Sequence, residues 1–425
     1  MRLLALLLPF TLSVACEKLE FTVLESGGLP EESIFIDRAD YIEPPEDVLS
    51  NDVLLRAYQM ATIEWTPVNR IPYRNGIYYE PGTPVQGIPY SSVKEINTYL
   101  FQDVSYHTFM TAVHNPRSVM YTEDISKPPY HGLNCAPYYG AVCSSSVMYA
   151  LGFSIPYYVK QIKDLPYMHK LETQSIDSLK VCDVILKAGH VQMIFNTEYQ
   201  ADTLYRITTF ESSGMSSHIQ TYSKSKFKKM WVSEGYVGYR YEKIKYSEEP
   251  VVFSALAPIE YNDDLCPSKG DRAVYRTDDE IVIDIFNERY DTILLVKEDR
   301  IIREESITGD RHSYSNLESG IYSVYLQKGP EKSEPVSFEA VETDVSYSLA
   351  ENRQIVIRFK SSAKADYAAL CTVTGESEYY SISDLERELG CIKLPQTTRN
   401  EFCFCKVVFE GEYGRIINNP VRIIF

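Results

Sequence analysis

Short β-type segments separated by turns fill the chain from about residue 250 to its end, and this pattern limits the fold more than any other feature of the sequence. The segments recur at roughly the spacing that is typical of β-sandwich domains. They read DEIVIDIF, DTILLVKED, GIYSVYL, PVSFEAV, RQIVIRF, YAALCTV, EFCFCKVVF and VRIIF. We therefore predict one or two all-β sandwich-like domains in this part of the chain, with a division near residue 344.

The part of the chain before residue 250 mixes helical and strand-like patterns. Residues 50–65, SNDVLLRAYQMATIEW, carry an apolar stripe at helical spacing, and Ser50 or Asn51 is the expected cap. The predicted fold class is therefore an α+β domain followed by β-sandwiches. The predicted units are an export signal (1–16), a linker (17–48), the α+β domain (49–248) and two sandwich domains (249–343 and 344–425).

The first residues, MRLLALLLPFTLSVAC, have the form of an export signal. One basic residue precedes an apolar run from Leu3 to Leu12, which is too short to span a membrane as a helix. The ending SVAC resembles a bacterial lipobox, although Ser13 replaces the usual aliphatic residue. The resemblance implies lipidation of Cys16 after cleavage and a membrane-anchored lipoprotein of the cell envelope, in the periplasm or at the outer membrane. Plain secretion is the alternative.

Charge and cysteine content narrow the remaining function classes. The formal net charge of −17 opposes a nucleic-acid partner, because phosphate binding needs clustered Lys and Arg. Without Cys16, eight cysteines remain, and none forms a CxxC pair or a Cys/His cluster with zinc-site spacing. The sequence therefore predicts no metal site and no cofactor. Disulfide pairing and oligomeric state stay open.

Residues 138–152, YYGAVCSSSVMYALG, set one cysteine beside three serines. Gly140 interrupts the chain before Cys143, apolar residues then follow at helical spacing, and Gly152 supplies a C-terminal stop. We therefore expect Cys143 in the first turn of a short helix. The unpaired amides and the positive end of the helix dipole stabilise a thiolate there, and they stabilise an oxyanion when that sulfur attacks a carbonyl. A small buried apolar side chain is the alternative role for this cysteine.

A second segment offers a base for this thiol. CDVILKAGHVQMIFN (182–196) predicts a strand, a turn and a second strand that begins at His190, and LYRITTFESS (204–213) predicts a third strand. If the last two strands form a hairpin around residues 197–204, Glu211 lies directly opposite His190, with Cβ atoms roughly 5 Å apart. The carboxylate then takes one ring N–H and leaves the other nitrogen for the thiol. A one-residue slip in register would put the two side chains on opposite faces.

These segments carry a family resemblance. YYGAVCSSSVMYALG resembles the nucleophile helix of NlpC-type cell-wall peptidases, a papain-like superfamily whose usual form there is Asp-Cys-Ser-Gly-Phe-Val. SLKVCDVILKAGHVQMIF resembles the family's lkpGD…GHV segment, and GIPYSS (87–92) is similar to its Gly-x-Pro-Tyr. The resemblance covers about residues 50–245. It implies a papain-like α+β fold that hydrolyses amide bonds in bacterial wall peptides.

The same resemblance implies a role for each site residue. Cys143 becomes the nucleophile, His190 the general base and acid, and Glu211 the residue that orients the imidazole. Tyr90 corresponds to the active-site tyrosine, and Tyr90 and Ser144 are assigned to substrate binding.

Several positions depart from the family pattern. Val142 replaces the acidic residue that holds a substrate amine, Ser145 stands where the family has glycine, and Cys182 stands where it has glycine before Asp183. The long interval between Tyr90 and Cys143 predicts an insertion over roughly residues 95–134. These departures leave the chemistry in place and weaken the assignment of the substrate.

The leading prediction is a lipid-anchored cysteine peptidase or amidase that cleaves an amide or isopeptide bond in peptidoglycan stem peptides. One alternative keeps the three residues and changes the substrate to a protein or an N-acyl amide. Another is a surface binding lipoprotein that retains a relict catalytic fold. The predicted partners are a peptide-like substrate and, through the lipid anchor, a membrane.

Overall fold

The structure is a computed structural model that describes residues 44–423, apart from 73–76, 92–98, 103, 123–138, 258, 260–261, 263, 268–273, 350–353, 373–376, 395–402 and 418–420. The predicted export signal with Cys16 and most of the predicted linker lie outside the described residues. Cys135 and His131, which belong to the interval between Tyr90 and Cys143, also lie outside them.

Helices occur mainly in the first part of the described chain. They are α1 (Ser50–Thr62), α2 (Tyr106–His114), α3 (Val119–Thr122), α4 (Cys143–Ala150), α5 (Val159–Ile162), α6 (Lys224–Glu234) and, near the end, α7 (Asp384–Leu389). The apolar stripe predicted for α1 is buried as expected. The predicted cap is wrong: Leu49 precedes the helix, and the Ser50 hydroxyl instead accepts a hydrogen bond from the distant Ser247 N–H at 3.1 Å.

Strands of the first unit run from residue 48 to residue 245. They are β1 (Val48–Leu49), β2 (Glu64–Trp65), β3 (Ile71–Pro72), β4 (Tyr78–Tyr79), β5 (Val85–Gln86), β6 (Met168–Lys170), β7 (Val184–Lys187), β8 (His190–Gln200), β9 (Thr203–Ser213), β10 (Ser216–Ser223), β11 (Val237–Tyr241) and β12 (Ile244–Lys245). A six-stranded antiparallel sheet with the order β10-β9-β8-β7-β11-β6 forms the body of this unit.

Apolar residues on both faces of this sheet pack against helices. Val184 and Met193 point into a core shared with α1 and α4, whereas Ile185 and Ile194 point into a second core shared with α6. Successive residues of a strand face opposite sides, so one strand can serve both cores. The sheet therefore fixes the position of α4, and with it Cys143, over β8 and β9.

Two sandwich domains follow, and each of the eight predicted β segments forms a strand in them, alongside further strands that the sequence analysis did not predict. The first contains β13 (Leu265–Pro267), β14 (Val274–Arg276), β15 (Ile281–Ile285), β16 (Thr292–Lys297), β17 (Arg300–Ser306), β18 (Arg311–Tyr314), β19 (Gly320–Lys328), β20 (Glu331–Lys332) and β21 (Val336–Val341). Its sheets have the orders β13-β15-β18 and β14-β21-β19-β16-β17, and a common apolar core lies between them.

The second sandwich begins directly after the first. It contains β22 (Thr343–Leu349), β23 (Ile355–Ser361), β24 (Lys364–Thr372), β25 (Ser377–Ser381), β26 (Cys391–Lys393), β27 (Cys403–Glu410), β28 (Arg415–Ile417) and β29 (Val421–Ile423). Sheets with the orders β22-β23-β26 and β25-β24-β27-β28 enclose its core.

Both sandwiches contact the first unit. Asp284 of the first sandwich is fully buried and accepts hydrogen bonds from Asn115 at 3.3 Å, Arg117 at 3.1 Å and Arg311 at 2.9 Å. From the second sandwich, buried side chains join the core around α1 and α4; they are Tyr367, Ala369, Tyr379 and Val408. The described units therefore pack against one another through buried residues.

The predicted fold class is wrong in its main part. We expect from the sequence a papain-like, NlpC-type α+β domain, but strand residues are more than twice as numerous as helical residues. That expectation depends on the chain order of a cysteine, a histidine and an acid, and such a set recurs on unrelated folds. Order along the chain therefore does not determine the fold class, whereas the alternating strand pattern correctly indicates β-sandwich structure.

Candidate active site

Cys143 is the first residue of α4 and is almost completely buried. The helix stops at Ala150, and Gly152 follows in the left-handed region with a φ of +87°. Val142, which precedes the helix, has no side-chain oxygen and makes no side-chain capping hydrogen bond. The first-turn N–H groups therefore keep the capacity to stabilise negative charge on a sulfur or on an oxyanion.

The three serines after Cys143 lie at the start of α4 and are buried. Ser145 Oγ accepts a hydrogen bond from the Val142 N–H at 2.9 Å and donates one to the Val142 carbonyl at 3.1 Å. Ser146 Oγ lies 3.5 Å from Ser217 Oγ on β10. Ser144 is buried beside Cys143. Ser145 thus holds the first turn in place, and Ser146 links the helix to β10.

The segment before α4 packs between residues 89–91 and strand β9. A Cβ on Gly140 would lie 2.2 Å from Ser91 Cβ and 2.7 Å from the Pro89 carbonyl oxygen, so only glycine fits there. Ala141 N–H donates to that same Pro89 carbonyl at 3.0 Å, and Ser212 Oγ on β9 donates to the Ala141 carbonyl at 3.0 Å. These contacts position Cys143 relative to the strand that carries Glu211.

The hairpin of β8 and β9 is longer and tighter than the sequence suggests. Its turn consists of Ala201 and Asp202, both with positive φ, in place of the predicted loop over residues 197–204. Irregularities in register follow Ile194 and Glu198. Met193 pairs with Phe210, which brings Glu211 beside Gln192, two residues from the predicted position opposite His190. A shift of two residues keeps His190 and Glu211 on the same face.

His190 and Glu211 form a short contact despite this shift. His190 Nε2 lies 2.7 Å from Glu211 Oε2, and the Glu211 side chain is only 6% exposed. Burial favours the neutral imidazole, but hydrogen bonding to Cys143 and then to Glu211, with the negative charge of both, outweighs burial and raises the pKa of His190 to about 9. Burial opposes the charged form of Glu211, yet its contacts with His190 and His218 lower its pKa. These contacts therefore favour a protonated imidazole beside an ionised Glu211 carboxylate.

Two further residues surround Glu211, and the sequence analysis missed both. Gln192 is buried and donates from Nε2 to Glu211 Oε1 at 2.9 Å. His218 pairs directly with Glu211 across β9 and β10, and its Nε2 lies 3.7 Å from Oε1. The signal for Gln192 is its two-residue spacing from His190, which puts both on one strand face. The signal for His218 is the alternation of SSHIQTYS after Gly214.

The two predicted substrate-binding residues occupy different places. Tyr90 is half-buried, and its N–H donates to the Met215 carbonyl at 2.7 Å, so its backbone follows the strand edge beside β10. Ser144 lies in the first turn of α4, where its backbone is next to Cys143. Neither placement tests a role in substrate binding.

The family-like segment around Cys182 has a structural function. Cys182 is buried, and its φ of +68° lies in the region that glycine favours. Burial raises the pKa of its thiol to about 12. The neighbouring Asp183 is fully buried and binds Arg240 through both oxygens, at 2.7 and 2.6 Å. This pair fixes β7 against β11, and Cys182 is unsuited to act as a nucleophile.

Other histidine and acidic residues that lie near these segments in the sequence occupy different positions in the fold. His107 and His114 belong to α2 and are exposed. Glu198 lies within β8 and forms an ion pair with Arg206 at 3.8 Å, and Asp202 is in the hairpin turn. Within the described ranges, no group of three or more His, Cys, Asp or Glu residues is arranged to hold a metal ion. No helix in the described part of the chain is long and apolar enough to cross a membrane.

The chain was compared with family models, curated proteins and solved structures. No family model matches the chain, and no curated protein matches it. Among solved structures, the chain is similar to a segment of two fibronectin type III domains from chicken tenascin, at 13% identity over 38% of this chain and 96% of that chain, with a TM-score of 0.23. It is also similar to domains A168–A170 of titin, at 9% identity over 60% and 94% of the two chains, with a TM-score of 0.19.

A third solved structure is of fibronectin(III)-like modules of CbhA from Clostridium thermocellum. They are 10% identical over 36% of this chain and 87% of that chain, with a TM-score of 0.18. Fibronectin type III domains are β-sandwiches, which is the architecture of β13 to β29. All three of these solved structures are thus sandwich modules.

Proposed function

We propose that this chain is a cysteine hydrolase of the peptidase or amidase type, with Cys143 as nucleophile, His190 as general acid and base, and Glu211 as the orienting residue. The observation that carries the proposal is the contact of 2.7 Å between His190 Nε2 and Glu211 Oε2. It commits one ring nitrogen to the carboxylate and leaves Nδ1 for the sulfur at the start of α4. A nucleophile, a base and a residue that orients the base are the parts of a catalytic triad.

The first half of the reaction forms a thioester. The Cys143 sulfur attacks the carbonyl carbon of the amide, and the N–H groups at the start of α4 stabilise the oxyanion that forms. Protonated His190 then gives its proton to the leaving nitrogen as the C–N bond breaks. The amine departs, and the acyl group stays on the sulfur.

The second half regenerates the enzyme. Neutral His190 takes a proton from water, and the resulting hydroxide equivalent attacks the thioester carbonyl. The C–S bond breaks, the carboxylic product leaves, and the imidazolium again faces the Cys143 sulfur. Glu211 stabilises the imidazolium without accepting its proton, because contact with His190 lowers the pKa of this carboxyl.

We assign peptidoglycan stem peptides as the substrate on the resemblance of YYGAVCSSSVMYALG and SLKVCDVILKAGHVQMIF to NlpC-type peptidases. Val142 precedes the nucleophile in place of an acidic residue, so the substrate amine has no carboxylate partner at that position. We therefore expect a requirement for the peptide around the cleaved bond and a weak requirement for a free amino terminus.

Purified muropeptides with product analysis by mass spectrometry test this proposal. With wild-type protein we expect two products whose masses add up to the mass of the muropeptide plus one water. With Cys143→Ala we expect no products. Cleavage of a protein or an N-acyl amide but of no muropeptide would keep the hydrolase and change its substrate. Absence of Cys143-dependent cleavage of all three substrate classes would favour the surface binding protein.

The location of the enzyme is a separate proposal. We propose that lipidation of Cys16 anchors the chain to a membrane of the cell envelope, because the sequence ends its apolar leader with SVAC. Cys16→Ala is expected to move the protein into the soluble fraction. Membrane association that survives this substitution, in both low and high salt, would contradict lipidation as the anchor.

A further inference from the structure

A cavity of about 460 Å³ lies between the end of α4 and the turn that joins β27 to β28 of the second sandwich. Tyr149, which lines it, is six residues beyond Cys143 on α4, which corresponds to about 9 Å along the helix axis. The cavity is therefore distinct from the candidate active site, and its size falls within the range of small-molecule sites.

One wall of this cavity is aromatic. The rings of Phe101 and Tyr149 are half-buried, with centroids 5.1 Å apart, and Phe153 also lines the cavity. Phe101 has a φ of +73°, a left-handed conformation that strains any residue other than glycine. Non-glycine residues in such conformations are concentrated at functional sites. The strained backbone holds an aromatic ring at the cavity.

The lining of the cavity also carries charge. Arg56 is half-buried, and burial lowers the pKa of its guanidinium. Its Nε donates to the Ala150 carbonyl at 2.9 Å, but no carboxylate of the described residues forms an ion pair with it. Arg415, also at the cavity, is already paired with Asp366 at 2.7 Å. Arg56 is therefore the cation that remains for a ligand.

The rest of the lining is polar. Gln102, Ser105 and Ser154 contribute amide, hydroxyl and backbone groups. Glu410 is the one carboxylate among the cavity-lining residues that the structure describes; it is exposed and lies 3.9 Å from Lys364. An aromatic wall combined with polar groups and the Arg56 guanidinium suits a ring with an apolar face, several hydroxyl groups and a carboxylate.

We propose that this cavity is a binding site for a carboxylated saccharide, with the carboxylate on Arg56 and the sugar ring against Phe101 and Tyr149. The guanidinium fork matches a carboxylate in geometry, and burial strengthens that pair. Sugar binding at this cavity does not depend on hydrolysis at Cys143. An experiment that contradicts one of the two proposals therefore leaves the other unaffected. The ligand would touch both the first unit and the second sandwich.

Calorimetric titration of the full chain with two matched sugar pairs tests the site. N-acetylmuramic acid is compared with N-acetylglucosamine, and D-glucuronic acid with D-glucose, because the acid of each pair adds a carboxylate, within a lactyl ether in the first pair and at C6 in the second. We expect each acid to bind at least tenfold more tightly than its neutral partner. Arg56→Gln is expected to remove that preference, and Arg206→Gln, at the far end of the β8–β9 hairpin, to preserve it.

Loss of the Ala150 contact can also disturb α1 and α4, so the circular dichroism spectrum of each variant is compared with that of wild type. If Arg56→Gln does not fold, Arg56→Lys replaces it; this variant keeps a charge but loses the fork, and we expect the preference to fall at least threefold. Equal binding of acid and neutral sugar, no binding of either acid, or an unchanged preference in a folded Arg56 variant would each overturn the proposal.

Discussion

Gln192 donates a hydrogen bond from Nε2 to Glu211 Oε1 over 2.9 Å, while His190 occupies the other oxygen of the same carboxylate. The two donors lie on one face of β8 because two residues separate neighbouring side chains of that face. A carboxylate held at both oxygens cannot rotate away from the imidazole. Glu211 is therefore fixed by a residue that has no part in the chemistry.

Loss of the amide at residue 192 should weaken turnover without removing it. We expect Gln192→Leu to lower kcat/KM about tenfold, because Glu211 keeps His190 but loses the donor that fixes its plane. Glu211→Gln should cost more, since the neutral amide no longer steadies the imidazolium. Gln220→Leu, on the outer strand β10, is the matched control. Equal rates for Gln192→Leu and wild type would show that Glu211 needs no second donor.

Removal of the nucleophile should end turnover, and removal of a buried neighbour should not. We expect no product from Cys143→Ala, while Cys182→Ala keeps most of the rate because burial raises the pKa of that thiol to about 12. His190→Ala should be nearly as severe as Cys143→Ala, and Cys135→Ala should be mild. Iodoacetamide at neutral pH, followed by peptide mapping, should label Cys143 first. Activity that survives Cys143→Ala but not Cys182→Ala or Cys135→Ala would reassign the nucleophile.

Stability should depend on pH through His190. Its pKa rises from the ordinary value of 6.5 to about 9 in the folded chain, so the stabilisation is complete below pH 6.5 and is lost as the pH rises through about 9. The shift corresponds to a loss on the order of 3 kcal/mol. Urea unfolding of wild type and His190→Ala at pH 6 and pH 10 measures it. A difference between the two proteins that stays constant with pH would contradict the raised pKa.

Much of the architecture follows from local patterns in the sequence. The α1 stripe, the sandwich strands and the helix start at Cys143 are each encoded within a few neighbouring residues, and each forms as predicted. The register of β8 against β9 is different, because it depends on two irregularities and a two-residue turn that alternation does not reveal. Only the face shared by His190 and Glu211 could be predicted, not the pairing.

Local sequence patterns do not predict contacts between distant segments. Ser50 looks like a helix cap in isolation, yet its hydroxyl binds residue 247. His218 joins Glu211 only because β10 pairs with β9. The papain-like fold class failed for a related reason: three residues in a given order describe a chemical arrangement, and the packing of strands and helices around it is decided by many other residues.

Gly140 should be essential for the position of α4. We expect Gly140→Ala to lower both activity and stability, since its Cβ would lie 2.2 Å from Ser91 Cβ and must push the two segments apart. Overpacking of this kind costs about 1–3 kcal/mol. Gly309→Ala is the control, because nothing lies within 4 Å of a Cβ there. Urea unfolding and hydrolysis rates that are equal for the two variants would show that the segments tolerate the shift.

The Asp284 cluster should stabilise the contact between the first unit and the first sandwich. We expect Asp284→Ala to reduce the free energy of unfolding by about 3 kcal/mol, because it leaves Arg117 and Arg311 without their buried partner. Asp310→Ala removes an exposed carboxylate that also contacts Arg117, and it should cost less than about 1 kcal/mol. Similar losses for the two variants would show that burial of Asp284 adds little.

The packing of Tyr367, Ala369, Tyr379 and Val408 into the core around α1 and α4 has a consequence for biogenesis. Synthesis proceeds from the N-terminus, so the sheet that carries His190 and Glu211 leaves the ribosome well before these side chains do. Part of the apolar core around α1 and α4 has no cover until residues near 408 have followed. The nascent chain therefore passes through a period in which a chaperone can bind that surface, and this core is complete only when almost the whole polypeptide has been made.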